Sequence, residues 1–262
     1  MKLGIIAPVA EESFIRAAER GLDFVEFCIN GDDRGEVLFS ELDNIRRWTE
    51  KYGVSVGSVG RWKSVILDEH GDIVDSEIEL AGKLMKAASE LGCPNYICGC
   101  NYSSAVSYYT NCTRAICFFE QVLSRRPSGV EVSVYNCRKM NFVNTPEAWK
   151  IVLGHLPELG IKYDPSHAIK DGADYLAELV EWGGRVRHVH LKGSLVVNGV
   201  SVDDPPAGLD GTDWKSFIGI LRAKGYDRGL SIEPHSPVWT GALGDAGIDY
   251  TVKYMKELLT TI

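Results

Sequence analysis

Eight short apolar runs alternate with eight stretches of helical period along 262 residues, and glycines close several of the helical stretches just ahead of the next run. These observations predict a single (β/α)₈ barrel over residues 1–262. The runs are 2–7, 22–29, 54–59, 95–99, 130–135, 160–164, 186–191 and 230–234, and helical period falls near 11–20, 38–52, 74–91, 105–125, 146–155, 172–182, 212–224 and 246–260. Strands joined through helices pair in parallel by right-handed crossovers, and eight such units close on themselves.

In chain order, the first helix stops at Arg20-Gly21, and the second strand carries Glu26 within Val25-Glu26-Phe27. The second helix stops at Tyr52-Gly53. A long connection from Arg61 to Gly71, bearing Arg61, Trp62 and Lys63, follows the third strand. Leu91-Gly92 ends the third helix, and the fourth strand runs into Cys98-Gly99-Cys100. Tyr108-Tyr109, near the start of the next helix, reads as packing. The fifth strand spans Gly129 to Cys137, Leu159-Gly160 leads into the sixth, and Lys224-Gly225 precedes the eighth. Glycine at these helix ends accepts the left-handed backbone that terminates a helix. A second long connection, Gly193 to Thr212, holds Asp203-Asp204-Pro205-Pro206. Both long connections follow strands, on the face where a parallel barrel does its chemistry.

Composition is that of a soluble globular protein, 45% hydrophobic and 24% charged. A net charge of −8 without a Lys/Arg cluster argues against nucleic acid as a partner. No run reaches the roughly 18 apolar residues of a membrane span. The opening Met1-Lys2-Leu3-Gly4-Ile5-Ile6 is too short an apolar run for a signal peptide. Seven scattered cysteines, an odd number, are expected as reduced thiols in a cytoplasmic protein.

Three strands end in metal-binding side chains: Tyr163-Asp164-Pro165-Ser166-His167, His188-Val189-His190-Leu191-Lys192 and Ile232-Glu233-Pro234-His235. Alternation along a strand puts Asp164 and Lys162 on one face, as it does His188, His190 and Lys192, and Glu233 and His235. Asp164, His190 and Glu233 can therefore converge at the barrel mouth, a mixed N/O set suited to Mn²⁺, Mg²⁺ or Zn²⁺ rather than Ca²⁺.

These motifs, with the Pro206-to-Trp214 stretch and Gly225-Tyr226-Asp227, resemble the xylose isomerase-like TIM barrels: sugar-phosphate isomerases and epimerases, ketose 3-epimerases and endonuclease-IV-type proteins. The resemblance covers nearly the whole chain. It implies a metal held by Asp164, His190, Glu233 and a fifth-strand glutamate, with His167 as a substrate-facing histidine, and pairing of chains as a homodimer or homotetramer. The chain departs from the pattern at two positions. Tyr135 stands where the fifth-strand glutamate belongs, and Gly193 where an acidic residue often follows the lysine. Glu131 has inward parity but lies about 13 Å down the strand, where Lys162 is expected as its ion-pair partner.

The expected function is metal-assisted isomerisation or epimerisation of a small carbohydrate, a sugar or sugar phosphate, with a proton removed next to a carbonyl. Glu233 is the expected base, and Tyr135 and His167 are the proton donors. Lys192, Arg61, Trp62, Asn136, His188 and His235 are expected to bind substrate, and Trp239 to line the mouth. Two alternatives follow from the Tyr135 replacement: a lyase or dehydratase acting on a keto-sugar or keto-glycoside, and a non-catalytic sugar-binding barrel. A phosphodiester endonuclease is disfavoured by the acidic charge and by a total of only six histidines.

Overall fold

The protein is described by a computed structural model covering residues 1–261. Its elements in order are β1 (Lys2–Ile6), α1 (Glu11–Glu19), β2 (Phe24–Asn30), α2 (Glu36–Ser40), α3 (Leu42–Tyr52), β3 (Ser55–Trp62), α4 (Asp75–Glu90), β4 (Asn95–Cys98), α5 (Tyr108–Ser124), β5 (Glu131–Tyr135), α6 (Pro146–His155), β6 (Gly160–Tyr163), α7 (Pro165–Lys170), α8 (Tyr175–Trp182), β7 (Val186–Leu191), β8 (Leu195–Val197), β9 (Val200–Asp203), α9 (Trp214–Ala223), β10 (Gly229–Ile232) and α10 (Gly241–Thr261). Among the described residues, eight parallel strands close in the order β1-β10-β7-β6-β5-β4-β3-β2, and β8 and β9 form a separate antiparallel hairpin. The expected barrel is present. Among the described residues, no helix is long and apolar enough to cross a membrane.

Alternation sorts each strand. Val25 and Phe27 of β2, Val132 and Val134 of β5 and Val189 of β7 join the apolar layer beneath the helices. Their neighbours Glu26, Ser133, His188 and His190 are buried on the other face. Phe24 plugs the floor of the barrel, and glycine makes room for it on three strands. A Cβ at Gly4 or Gly57 would stand 2.3 or 2.2 Å from its ring, and one at Gly229 3.0 Å away. Both register shifts in the barrel fall beside polar interior residues, at Val25/Glu26 and Ile161/Lys162. Bulges of this kind re-aim a side chain.

Gly21, Gly53, Gly92 and Gly225 adopt the left-handed backbone expected after a helix. Gly160 does not; it opens β6, where a Cβ would press on Arg187 at 2.4 Å. The segment after β6 also holds more helix than its periodicity suggests. Asp164 caps α7 by accepting from Ser166 N, and Pro165 sits at its first position. The connection after β7 is a hairpin, not a loop. Asn198 and Gly199, at φ 51° and 76°, form its turn between valine-rich strands. Tyr108 packs edge-on against Phe142, as expected, whereas Tyr109 is exposed to solvent rather than packed. All seven cysteines are free thiols, and burial pushes the Cys93 thiol up to about 12.

Candidate active site

Barrel closure brings Asp164, His190 and Glu233 together, with one ligand atom from each lying within 4.8 Å of the others. Asp164 follows β6 and is fully buried. Asn136, just beyond β5, fixes its backbone by donating Nδ2 to Asp164 O and accepting from Asp164 N, both at 2.9 Å. Asn136 therefore has its amide consumed in positioning Asp164, which corrects its expected role in substrate binding.

His190 bridges two carboxylates, with Nδ1 2.7 Å from Glu233 Oε2 and Nε2 2.9 Å from Glu26 Oε1. Glu26 also holds His188 Nε2 at 2.7 Å. His188 is thus an interior support, shielded from the cavity and packed edge-on to Phe24, not a substrate ligand. Burial pushes the His188 imidazole down. Burial opposes protonation of His190 as well, but the Glu26 and Glu233 carboxylates together outweigh it and raise that imidazole.

Lys192, buried on β7's extension, puts Nζ 3.0 Å from Asp164 Oδ2, 3.4 Å from His167 Nε2 and 4.0 Å from Glu233 Oε2. Burial alone would raise both carboxyls. Lys192 and Lys162, together with His167 at Asp164 and His190 at Glu233, outweigh it in sum, so both stay below the usual carboxylate range. Burial pushes the His167 imidazole down to about 3 despite Asp164 at 3.4 Å.

That shift carries a stability prediction. The folded value lies below the unfolded value near 6.5, so between those pH values the unfolded chain holds a proton that the folded chain lacks. Stability is therefore expected to fall as pH drops from 6.5 toward 3, by up to about 1.4 kcal/mol per pH unit from this group. Chemical denaturation across that range should show a shallower dependence in His167→Gln; equal slopes in the two proteins would refute the assignment.

These residues open onto a cavity of about 770 Å³, lined among others by Trp62, Lys162, His167, His190, Lys192, Glu233 and His235. Trp62, Lys192 and His235, the expected substrate contacts, all line this cavity. Trp239 lines an adjoining recess. Arg61 does not reach the cavity. It is 3% exposed, its Nε lies 3.0 Å from Glu77 Oε2, and it donates to Asp33 O, so the expected substrate contact is replaced by a buried ion pair.

Tyr135 is also turned away from the reacting centre. Its ring stacks on Trp62 at 4.4 Å, its hydroxyl donates to Met140 O at 3.4 Å, and burial pushes the phenol upward. Gly99 admits it, since a Cβ there would stand 2.4 Å from the ring. The phenol cannot take over the role of a second catalytic acid. Glu131 pairs with Arg187 and Arg228, not Lys162, because it is the first residue of β5 and lies at the closed end of the barrel. Lys162 sits beside Tyr135 in register, over the Trp62 ring and 3.9 Å from Asp164 Oδ2. Gly193 carries no side chain because a Cβ would stand 1.9 Å from Pro205 O.

Cys28, Asn30, Arg138, Lys139 and Lys170 line the cavity without having been singled out from the sequence as site residues, and Lys162 lines it although it was expected only as an ion-pair partner. Most lie at or just after strand C-termini, the position that marks barrel chemistry. Asp204, beyond the hairpin, ties its base to the mouth through Lys170 at 2.6 Å and His235 at 3.2 Å.

The donor set fits a divalent ion. Asp164 Oδ2 is buried, and although Lys192 Nζ is near, it accepts no well-directed hydrogen bond. One carboxylate on each side of an imidazole whose far nitrogen is held by Glu26 is the arrangement that orients a metal-binding histidine.

The profile of the xylose isomerase-like TIM barrel family matches residues 14–258, and the chain belongs to that family. Among curated proteins it is similar to the uncharacterized protein YfiH of Bacillus subtilis (strain 168), 28% identical over 124 residues; the match covers 40% of this chain and 39% of that protein's length. Among solved structures it resembles D-allulose 3-epimerase from Methylomonas sp. (TM-score 0.77, 16% identity, 98% of each chain). It also resembles the IolI protein with a bound zinc atom (0.77, 15%, 99% of this chain and 98% of that one). A third is the probable 3-DHS dehydratase AsbF from Bacillus anthracis (0.74, 14%, 98% and 99%). At these identities the likeness shows the fold.

Proposed function

We propose that the protein is a metal-dependent sugar isomerase or epimerase that removes a proton next to a carbonyl of a small carbohydrate. The observation that carries this reading is the convergence of Asp164, His190 and Glu233 within 4.8 Å at the base of a cavity sized for a small molecule. These three residues would hold Mn²⁺, Mg²⁺ or Zn²⁺, which when bound polarises the substrate carbonyl. Glu233, part-exposed and held ionised by Lys192 and His190, is the base. Lys192 donates to a substrate oxygen, and neutral His167, in contact with it, relays protons at the mouth. Trp62 offers a flat apolar wall to the sugar. The D-allulose 3-epimerase and zinc-bound IolI structures support this reading through their shared fold.

A second reading has its own support. With Tyr135 turned away, Glu233 is the carboxylate that lines the cavity among the described residues. Proton removal on one face, followed by loss of a β-oxygen, needs one base and one acid, and so fits a lyase or dehydratase. The probable dehydratase AsbF shares the fold.

Elemental analysis of protein purified without chelators or a nickel column tests the metal. About one Mn, Zn or Mg per chain is expected, and its loss in Asp164→Asn. Wild-type protein that takes up no metal after incubation with each ion would remove the metal from the proposal. Product analysis with ketoses and keto-glycosides then separates epimerisation from elimination.

A further inference from the structure

We infer that the substrate carries an anionic group, a phosphate or a carboxylate, which the rim of the cavity binds through Lys63 and Lys139. This rests on the sugar-converting reading of the site and narrows its substrate class. The chain has a net charge of −8, yet the cavity is lined by Lys63, Arg138, Lys139, Lys162, Lys170 and Lys192, and Glu233 is the carboxylate facing them.

Four of these cations have acidic neighbours. Lys162 and Lys192 face Asp164, Lys170 meets Asp204, and Arg138 pairs with Asp171. Lys63 and Lys139 are both exposed, and no ion pair engages either among the described residues. A neutral sugar gives no reason to keep two ammonium groups without acidic neighbours on the wall of one cavity. An oxyanion between them does.

Their backbone is built to hold them there. Lys63 and Met140, the residue after Lys139, both adopt left-handed φ, 56° and 55°, which side-chain-bearing residues avoid unless their surroundings enforce it. Tyr135 supplies the enforcement. Its hydroxyl donates to Met140 O at 3.4 Å and lies against the Lys63 backbone, in space left by Gly99. Tyr135 thus joins the loops after β3 and β5, each of which carries one of the two lysines.

Equilibrium dialysis tests this, since it reads binding whether or not a ligand is turned over. The probes are D-ribulose 5-phosphate and D-fructuronate, set against D-ribulose and D-fructose, with metal-loaded protein at about 0.1 M salt. At least one anionic probe is expected to bind about tenfold tighter than its neutral counterpart. A Lys63→Met/Lys139→Met double variant should lose that preference while binding the neutral sugars unchanged, and Lys63→Arg/Lys139→Arg should restore it. Preference for the phosphate identifies a sugar phosphate, and preference for fructuronate a sugar acid. Equal binding of charged and neutral probes, no binding of any probe, or a preference that survives in the methionine variant overturns the inference. Unimpaired turnover in Glu233→Gln would instead overturn the mechanism and leave an anion preference standing.

Discussion

Glu233→Gln is expected to lower kcat by about 10²–10⁴-fold while the protein keeps its fold, the usual loss when a positioned general base is removed. Glutamine has the same shape and can still meet His190 Nδ1, now 2.7 Å from the carboxylate, but it cannot take a proton. Far-ultraviolet circular dichroism and thermal melting check the fold, and steady-state kinetics on the substrate checks the chemistry. The result also separates a catalyst from a binder. A sugar-binding barrel would show no turnover in either protein and nearly the same affinity in both. Activity undiminished in both Glu233→Gln and Asp164→Asn would mean that the reacting centre lies elsewhere.

Glu77→Leu is expected to act on stability alone, costing about 3–5 kcal/mol because it strands a buried guanidinium. Arg61 contacts Glu77 through Nε at 3.0 Å and through its terminal nitrogen at 3.1 Å, and both side chains are nearly buried. For a chain of this size the loss corresponds to a fall of roughly 6–20 °C in Tm. KM should stay within about twofold, since Arg61 does not reach the cavity and a twofold change is under half a kcal/mol. A raised KM with an unchanged Tm would return Arg61 to the substrate.

The barrel was legible from the sequence because each strand is an apolar run with a period set by geometry, and because four helix-ending glycines take up the backbone they are chosen for. Asp164, His190 and Glu233 could be placed by strand parity alone, since parity decides which face a side chain joins. What parity does not supply is depth or partners. Glu131 has inward parity but opens its strand, so it meets Arg187 at the closed end. Arg61, at the end of β3, looks like a loop cation until α4 delivers Glu77 to it. Tyr135 stands where the resemblance leads one to expect a carboxylate, yet where its hydroxyl points depends on contacts with Gly99 and Met140 that strand parity does not supply. The hairpin was carried by a local signal, Asn198-Gly199 between valines, which a reading weighted toward loop length passes over.

The phenylalanine at the bottom of the barrel has a consequence for traffic. With Phe24 filling the space left by Gly4, Gly57 and Gly229, the interior is a blind chamber, and the open side lies beyond His190 and Glu233. In the proposed reaction, reactant and product therefore share one doorway. Each turnover has to empty the chamber before the next can begin, and a molecule lodged at the rim blocks arrival and departure alike.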